Sequence, residues 1–367
     1  MKKLNISLAL GLLLCISSTS VMAKSTIGGI VFLNTYLSTL DDNVDSTKDT
    51  FNLNLSKANN SRLRIKWSNE DNVSMYYEVA LKSSVLSVRH AYGKWDFSET
   101  GQLLAGDTST PFAPLNPNVA MVNNSGQGYG RVSPGRPSQI RYTYKFLNRN
   151  GAAAIALVDP NKGSTGGPTG TTREQSIPRV DIGVAFRTFN WQIFPSAFYH
   201  EINNSNSVTT ITTQGIALGV KLGAGPLIMS AEAGSGKNWG NTSGSYSGSV
   251  AGDNASALYD GVNPGVKTAD SSNTGYWIDL GYRFTGVESK GVLHFVYGSM
   301  SSKADSGNSS VNATSTMLGL SMPIDLPYIA RGLRIRPEVF VFTDKDTGST
   351  AVDKTNTIAG VQLQYTF

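Results

Sequence analysis

Basic side chains recur at every second position near residue 64, where Arg62, Arg64 and Lys66 alternate with apolar residues. This spacing puts three cations on one face of a β-strand and apolar side chains on the other. If the apolar face met water and the cations met lipid, each cation would cost ~2–4 kcal/mol at the membrane midplane. Fixed positive charge around a water-filled passage attracts anions and repels cations. The segment therefore predicts a cationic lumen surface.

Other charged residues are expected to join this surface and form a pore constriction. Arg89 and Arg141 come from nearby strands, whereas Arg131 and Arg136 come from a long connection that begins at Asp107. An alternative is that some of these cations face bulk water or pair with carboxylates such as Glu78, Asp96, Asp181, Asp279 or Glu338. The predicted constriction consists of Arg62, Arg64, Lys66, Arg89, Asp107, Arg131, Arg136 and Arg141.

The residues that could support catalysis or bind a metal do not form a known motif. The three histidines, His90, His200 and His294, fall in expected strands, and none lies beside a nucleophile motif. The segment 344–348 has the spacing of the start of a calcium loop but lacks the closing glutamate. The only cysteine, Cys15, lies in the expected leader described below. We therefore expect no catalytic residues, no metal and no cofactor.

The amino terminus has the pattern of a secretory signal peptide. Lys2 and Lys3 precede an apolar run from Leu8 to Ile16, and Ala23 ends a small-x-small cleavage site. The run is too short to span a membrane, which takes ~20 residues. The sequence thus predicts a cleaved signal peptide at 1–23 and one β-barrel domain at 24–367.

The carboxyl terminus is a strand with one apolar face. Apolar residues occupy alternate positions from Ala359 to Phe367. Tyr365 and the terminal Phe367 resemble the C-terminal assembly signal of outer-membrane proteins. This resemblance implies that the barrel assembly machinery of a Gram-negative bacterium handles the chain.

The same alternation recurs along the whole chain and predicts an all-β fold. A soluble sandwich would alternate in the same way, but the terminal Phe, the aromatic strand ends, and short connections alternating with long ones favour a transmembrane antiparallel up-and-down barrel. About sixteen strands would enclose an aqueous channel. The Gly/Ser-rich stretch 234–256 is expected to be a flexible loop. The expected strands are 26–37, 51–68, 73–82, 85–97, 101–107, 138–147, 151–158, 177–188, 190–202, 210–222, 226–234, 274–285, 289–300, 313–322, 332–343 and 355–367.

One region resembles a known family. The segments Val88–Gly93, Gly101–Gly106 and Thr110–Phe112 look like the fourth strand, fifth strand and start of loop three of Gram-negative trimeric porins, and most resemble the DcaP-like, dicarboxylate-selective group. The resemblance covers residues 61–147 and the last strand. It implies a homotrimer whose third loop folds into the lumen. Unlike that group, the chain shows no helical extension after residue 23, and its second outer loop, 82–84, is short.

Together these features predict a porin in the outer membrane, in contact with its lipid and lipopolysaccharide. The expected solutes are small carboxylates or inorganic anions. Nucleic acid is not an expected partner, since the net charge is only +5, Lys2 and Lys3 included, and no basic cluster is interleaved with aromatics. Two alternatives stay open: a plugged or adhesive barrel that binds through long outer loops, and a barrel hydrolase.

Overall fold

The alternating segments form strands whose two faces differ, and the strands pair into one antiparallel sheet that closes on itself. A computed structural model describes the protein. It covers residues 23–57, 61–81, 85–117, 121–124, 128–133, 135–159, 173–174, 177–204, 210–242, 251, 254–259, 267–286, 289–307, 309–348 and 351–367. Residues 1–22 of the expected signal peptide and the second outer loop at 82–84 lie outside these ranges.

Sixteen strands make up the closed barrel, as the sequence predicted. The second strand has two parts, and both pair with the first strand. The strands are β1 Lys24–Asp42, β2 Thr50–Lys57 and Arg62–Ser68, β3 Val73–Leu81, β4 Leu86–Trp95, β5 Gly101–Asp107, β6 Ser138–Phe146, β7 Gly151–Val158, β8 Arg179–Arg187, β9 Trp191–Asn204, β10 Thr210–Ala224, β11 Leu227–Lys237, β12 Ser272–Thr285, β13 Lys290–Asp305, β14 Ser310–Ser321, β15 Leu333–Asp346 and β16 Val352–Thr366.

Several shorter elements lie in the connections. The four-residue helix α1 spans Met121–Asn124, and 3₁₀ turns span Ser46–Lys48 and Trp239–Asn241. No helix in the described ranges is long and apolar enough to cross a membrane. Short strand pieces occur at Arg173–Glu174, Leu258–Tyr259, Lys267–Ala269 and Ile324–Asp325.

The first and last strands close the ring. Val31 of β1 lies opposite Tyr365 of β16. Next to this pair, the backbone of Gly29 donates a hydrogen bond to Phe367 at 2.9 Å and accepts one from it at 3.1 Å. A Cβ on Gly29 would lie 2.5 Å from the Phe367 ring, so glycine leaves the space that this ring occupies.

The outward face of the barrel is apolar and the inward face is polar. Ile140 and Ile216 are 59% and 67% exposed, whereas the inward neighbour Gln139 is 4% exposed. A sheet that turns isoleucine, leucine and tyrosine outward all round is suited to lipid, and its closure leaves no unpaired edge. The chain is therefore built as an outer-membrane barrel.

The long connection between β5 and β6, residues 108–137, is called loop 3 here. Its described parts contact strands on opposite sides of the ring. The Ala113 amide donates to Ser196 of β9 at 3.1 Å, and Asn34 of β1 donates to the Val122 carbonyl at 2.6 Å. A single connection that reaches both β1 and β9 runs across the barrel interior.

Loop 3 is held by inward-facing acidic side chains. Glu232 accepts a hydrogen bond from the Leu115 amide at 3.0 Å, and Glu338 accepts one from the Val122 amide at 3.0 Å. Asp344 accepts a hydrogen bond from the Tyr129 hydroxyl at 2.8 Å. These carboxylates satisfy loop groups that would otherwise be buried without partners. The loop path is thus fixed at three separated points of the wall.

The connection after β11 also packs inward, so the prediction of a flexible loop over 234–256 is wrong for its described residues. Residues 234–237 belong to β11, and Trp239 is fully buried beside Phe112 and Phe198. Ala251 donates to Ser315 at 3.0 Å and accepts from Ser302 at 2.6 Å. Burial of the Trp239 indole and the backbone hydrogen bonds of Ala251 hold these residues in place, although Gly and Ser favour a flexible chain.

Strand ends differ from the predictions by a few residues. The first strand was expected at 26–37 but runs from Lys24 to Asp42, and the eleventh, expected at 226–234, ends at Lys237. Both continue beyond the alternating core because polar residues also pair across the ladder, as Asp42 does with Lys354.

Candidate pore constriction

The inward wall formed by β2, β3 and β4 is organised around one buried carboxylate. Glu78 is 2% exposed. It accepts from Arg64 Nε at 2.7 Å, from Arg89 Nε at 2.8 Å and from Arg62 Nη1 at 3.3 Å. Tyr76 donates its hydroxyl to the same carboxylate at 2.8 Å. Three guanidinium groups and one carboxylate give this group a formal charge of +2.

Local strand geometry explains why the consecutive residues Arg89 and His90 both contribute to the wall. A bulge between Glu78 and Val79 shifts the register, so that His90 pairs with Glu78 while Val88 pairs with Val79. A bulge inserts one extra residue and re-aims its side chain. Arg89 therefore reaches Glu78, and His90 contacts Thr108 at the start of loop 3 at 2.9 Å.

Loop 3 adds two more arginines to this wall. Arg136 lies within electrostatic reach of Arg62, Arg89 and Arg131. Arg131 donates to Ser133 at 3.2 Å and also lies within reach of the acidic Glu232. The Nε atoms of Arg131 and Arg136 are buried and have no hydrogen-bond partner within the described part of the chain. The loop and the strands thus bring five arginines together.

The remaining predicted residues lie around this cluster. Arg141 donates to the Ser109 carbonyl at 3.2 Å and lies within electrostatic reach of Tyr92. Asp107 accepts from the hydroxyl of Ser138, its partner across the ladder, at the base of loop 3. Lys66 is exposed, and its Nζ lies over the Tyr76 ring, 5.9 Å from the ring centroid. The hydrogen bond with Ser138 places Asp107 at the base of loop 3.

A second charged group lies at the turn between β4 and β5. Asp96 contacts Lys145 Nζ at 2.5 Å, Lys94 Nζ at 3.3 Å and Gln102 at 2.8 Å. Partial burial disfavours its charged form, but the hydrogen bonds from Lys145 and Gln102 outweigh that effect and lower the pKa of Asp96 to about 2.

Glu78 is the central residue that the predicted constriction did not include. From the sequence, Glu78 was expected only as one of several possible ion-pair partners. Its position could have been read from the four-residue turn between β2 and β3, since that register puts Arg64 opposite Glu78. His90 was likewise treated as an isolated strand histidine, because nothing local marks the bulge.

A closed barrel with an apolar outer face and a charged lumen wall defines the class: this chain has the fold of the outer-membrane porins of Gram-negative bacteria. No protein-family model matches the sequence. No curated protein matches it either.

Solved structures show the same fold at low sequence identity. The outer-membrane channel DcaP of Acinetobacter baumannii is 17% identical over 94% of this chain and 97% of its own, with a TM-score of 0.71. The anion-selective porin from Comamonas acidovorans is 12% identical over 94% of this chain and 100% of its own, at 0.60. Salmonella typhi OmpF, in complex with daunomycin, is 12% identical over 94% and 98%, at 0.55. The predicted resemblance to porins and to the DcaP-like group is confirmed for the fold.

Proposed function

We propose that the protein is an outer-membrane diffusion channel that prefers small anions, such as carboxylates or inorganic anions. The observation that carries the proposal is the arginine group at Glu78: Arg62, Arg64 and Arg89 share one carboxylate, and Arg136 lies within electrostatic reach of Arg62 and Arg89. A narrow aqueous passage beside excess fixed positive charge favours anions.

Part of the interior is filled, which bears on how wide the passage is. Phe112, Trp239 and Met300 belong to one buried cluster that loop 3 and the connection after β11 build against the far wall. The three arginines that contact Glu78 lie on β2 and β4, and no described residue of this buried cluster comes from β2, β3 or β4. We infer that solutes pass along the basic wall. A plugged or adhesive barrel is the alternative that this filled region favours, and it would pass little or no current.

Other parts of the proposal rest on the sequence. Residues 1–23 act as a cleaved signal peptide, and Tyr365 and Phe367 are read by the barrel assembly machinery. The barrels form a homotrimer in the membrane, among lipid and lipopolysaccharide. The protein is a passive channel and not an enzyme; the barrel hydrolase remains the less favoured alternative.

Channel recordings of variants in which one arginine is replaced by glutamine test the proposal. Arg62→Gln and Arg136→Gln should each lower the ratio of anion to cation permeability, measured from reversal potentials in a KCl gradient. Arg149→Gln is the matched control, because Arg149 is an exposed residue of the turn between β6 and β7. Unchanged ratios in both variants, or a fall of the same size in the control, would refute the proposed role of the cluster.

A further inference from the structure

Three aromatic rings lie together on the inward wall, next to the arginine group. Tyr76, His90 and Tyr92 form this ring patch. Ring centroids are 5.6 Å apart for Tyr76 and His90, 5.7 Å for Tyr76 and Tyr92, and 6.4 Å for His90 and Tyr92. None of the three is exposed on the lipid side, and none is fully buried. The patch therefore presents partly accessible aromatic surface to the lumen.

Cationic groups flank the ring patch on both sides along the strands. Across the ladder, Lys66 pairs with Tyr76, and Tyr76 pairs with Tyr92. Two residues along the strands in one direction, Arg64 pairs with Glu78, and two residues along in the other direction lies Lys94. Arg141 also lies within electrostatic reach of Tyr92. An anion that contacts these rings therefore finds a cation in either direction.

Open space lies directly against two rings of the patch, Tyr76 and Tyr92. A cavity of about 300 Å³ is lined by Lys66, Tyr76, Tyr92 and Lys94, at the lower end of the ~300–1,000 Å³ typical of small-molecule sites. Gly106 is the ladder partner of Tyr92. It has no side chain, and a Cβ there would lie 2.2 Å from the Ala91 carbonyl oxygen. The ladder partner of Tyr92 thus places no side chain beside it.

Two of the rings are held in place by polar contacts at their edges. Tyr76 donates to Glu78, and His90 contacts Thr108. These contacts restrain the two rings at their edges, while Lys66 Nζ lies 5.9 Å from the centroid of the Tyr76 ring. A fixed aromatic surface bordered by cations can stack on a planar ring while a neighbouring cation holds a carboxylate attached to that ring.

We propose that the ring patch binds aromatic carboxylates during passage and favours them over non-aromatic carboxylates of the same charge and size. The inference rests on the proposed anion channel and specifies its substrate class. Stacking between aromatic rings adds to simple burial, so a preference of roughly 2- to 10-fold is expected.

The test compares benzoate with cyclohexanecarboxylate, since both carry one charge on a six-membered ring and only benzoate is aromatic. Their permeability ratio is measured from reversal potentials of the full-length refolded protein, with one anion on each side of a planar bilayer. A ratio clearly above one for benzoate supports the ring patch. A ratio of one in the wild type overturns the inference, whatever the variants do.

Two variants test whether the preference for benzoate comes from the ring patch. Tyr92→Leu should bring the ratio close to one, and Tyr92→Phe should preserve it. The control is Tyr282→Leu, because Tyr282 is an outward-facing tyrosine that is 52% exposed. A preference that survives Tyr92→Leu, or disappears equally in Tyr282→Leu, contradicts the proposed site. Channels that admit neither carboxylate would overturn the anion channel itself, whereas anion channels without aromatic preference would overturn only this inference.

Discussion

Arg64 and Glu78 lie directly opposite each other on β2 and β3, with 2.7 Å between Arg64 Nε and a carboxylate oxygen of Glu78. The same carboxylate also contacts Arg89 on β4. One acid on β3 thus joins cations from the two strands beside it, β2 and β4. It fixes their geometry and reduces their positive charge, so an anion that enters the constriction competes with Glu78 for the same guanidinium groups.

Glu78→Gln should therefore increase anion preference. Removing one negative charge near the passage is expected to raise the ratio of anion to cation permeability roughly two- to fivefold, from a change of about 0.5–1 kcal/mol for charges in a watery passage. The folded barrel should also be less stable, because three guanidinium groups lose their shared partner. Glu99→Gln, in an exposed turn, is the control. A fall in anion preference would contradict the role given to Glu78.

The seating of loop 3 depends on Gly130. This residue has a φ of +85°, and a Cβ would lie 2.0 Å from the Tyr276 carbonyl oxygen. Gly130→Ala should displace the loop and change the single-channel conductance. Gly307→Ala is the matched control, since Gly307 has a φ of +81° and no heavy atom within 4 Å of its Cβ position. Equal conductance in both variants would show that loop 3 does not set the width of the passage.

The Asp96 group should make a small, pH-dependent contribution to stability. Its pKa is lowered to about 2 in the folded protein and is ~3.9 in an unfolded chain. The contribution is therefore fully present above about pH 4 and disappears as the pH falls through 2. At pH 7, Asp96→Asn should lower the unfolding free energy by up to ~1 kcal/mol, because the group is partly exposed. Urea unfolding in detergent at pH 7, 4 and 2.5 measures this; a difference that grows at low pH would be inconsistent.

The contact between Gly29 and Phe367 predicts a role in assembly. Phe367→Ala removes the ring that fills the space beside Gly29 and should lower the fraction of heat-modifiable, folded barrel in the outer membrane. Phe189→Ala is the control, because Phe189 is fully exposed in the turn between β8 and β9. Equal folded fractions for the two variants would rule out a special role for the terminal ring.

Much of the barrel follows from local patterns. Alternation predicted all sixteen strands, and the short turn between β2 and β3 is enough to place Arg64 opposite Glu78. Contacts of loop 3 are different. The hydrogen bond between Leu115 and Glu232 spans 117 residues, and nothing near either residue indicates the other. Pro and Gly predicted only an irregular loop there.

The candidate site, like the barrel, was predictable from the sequence only in part. The shared face of Arg62, Arg64 and Lys66 follows from a spacing of two. The position of Arg89 does not, because the bulge at Glu78 and Val79 breaks that spacing without a glycine to mark it. Trp239 was hidden in a stretch rich in Gly and Ser, and its burial depends on Phe112 and Phe198, which lie far away in sequence.

The reversal potential of the refolded wild-type protein in a planar bilayer under a KCl gradient tests the central claim most directly. We expect stable channels whose reversal potential has the sign of chloride selectivity, because the arginines around Glu78 outnumber its single carboxylate. A reversal potential with the sign of potassium selectivity would contradict the basic constriction, and a folded, heat-modifiable barrel that gives no channels would contradict the open passage.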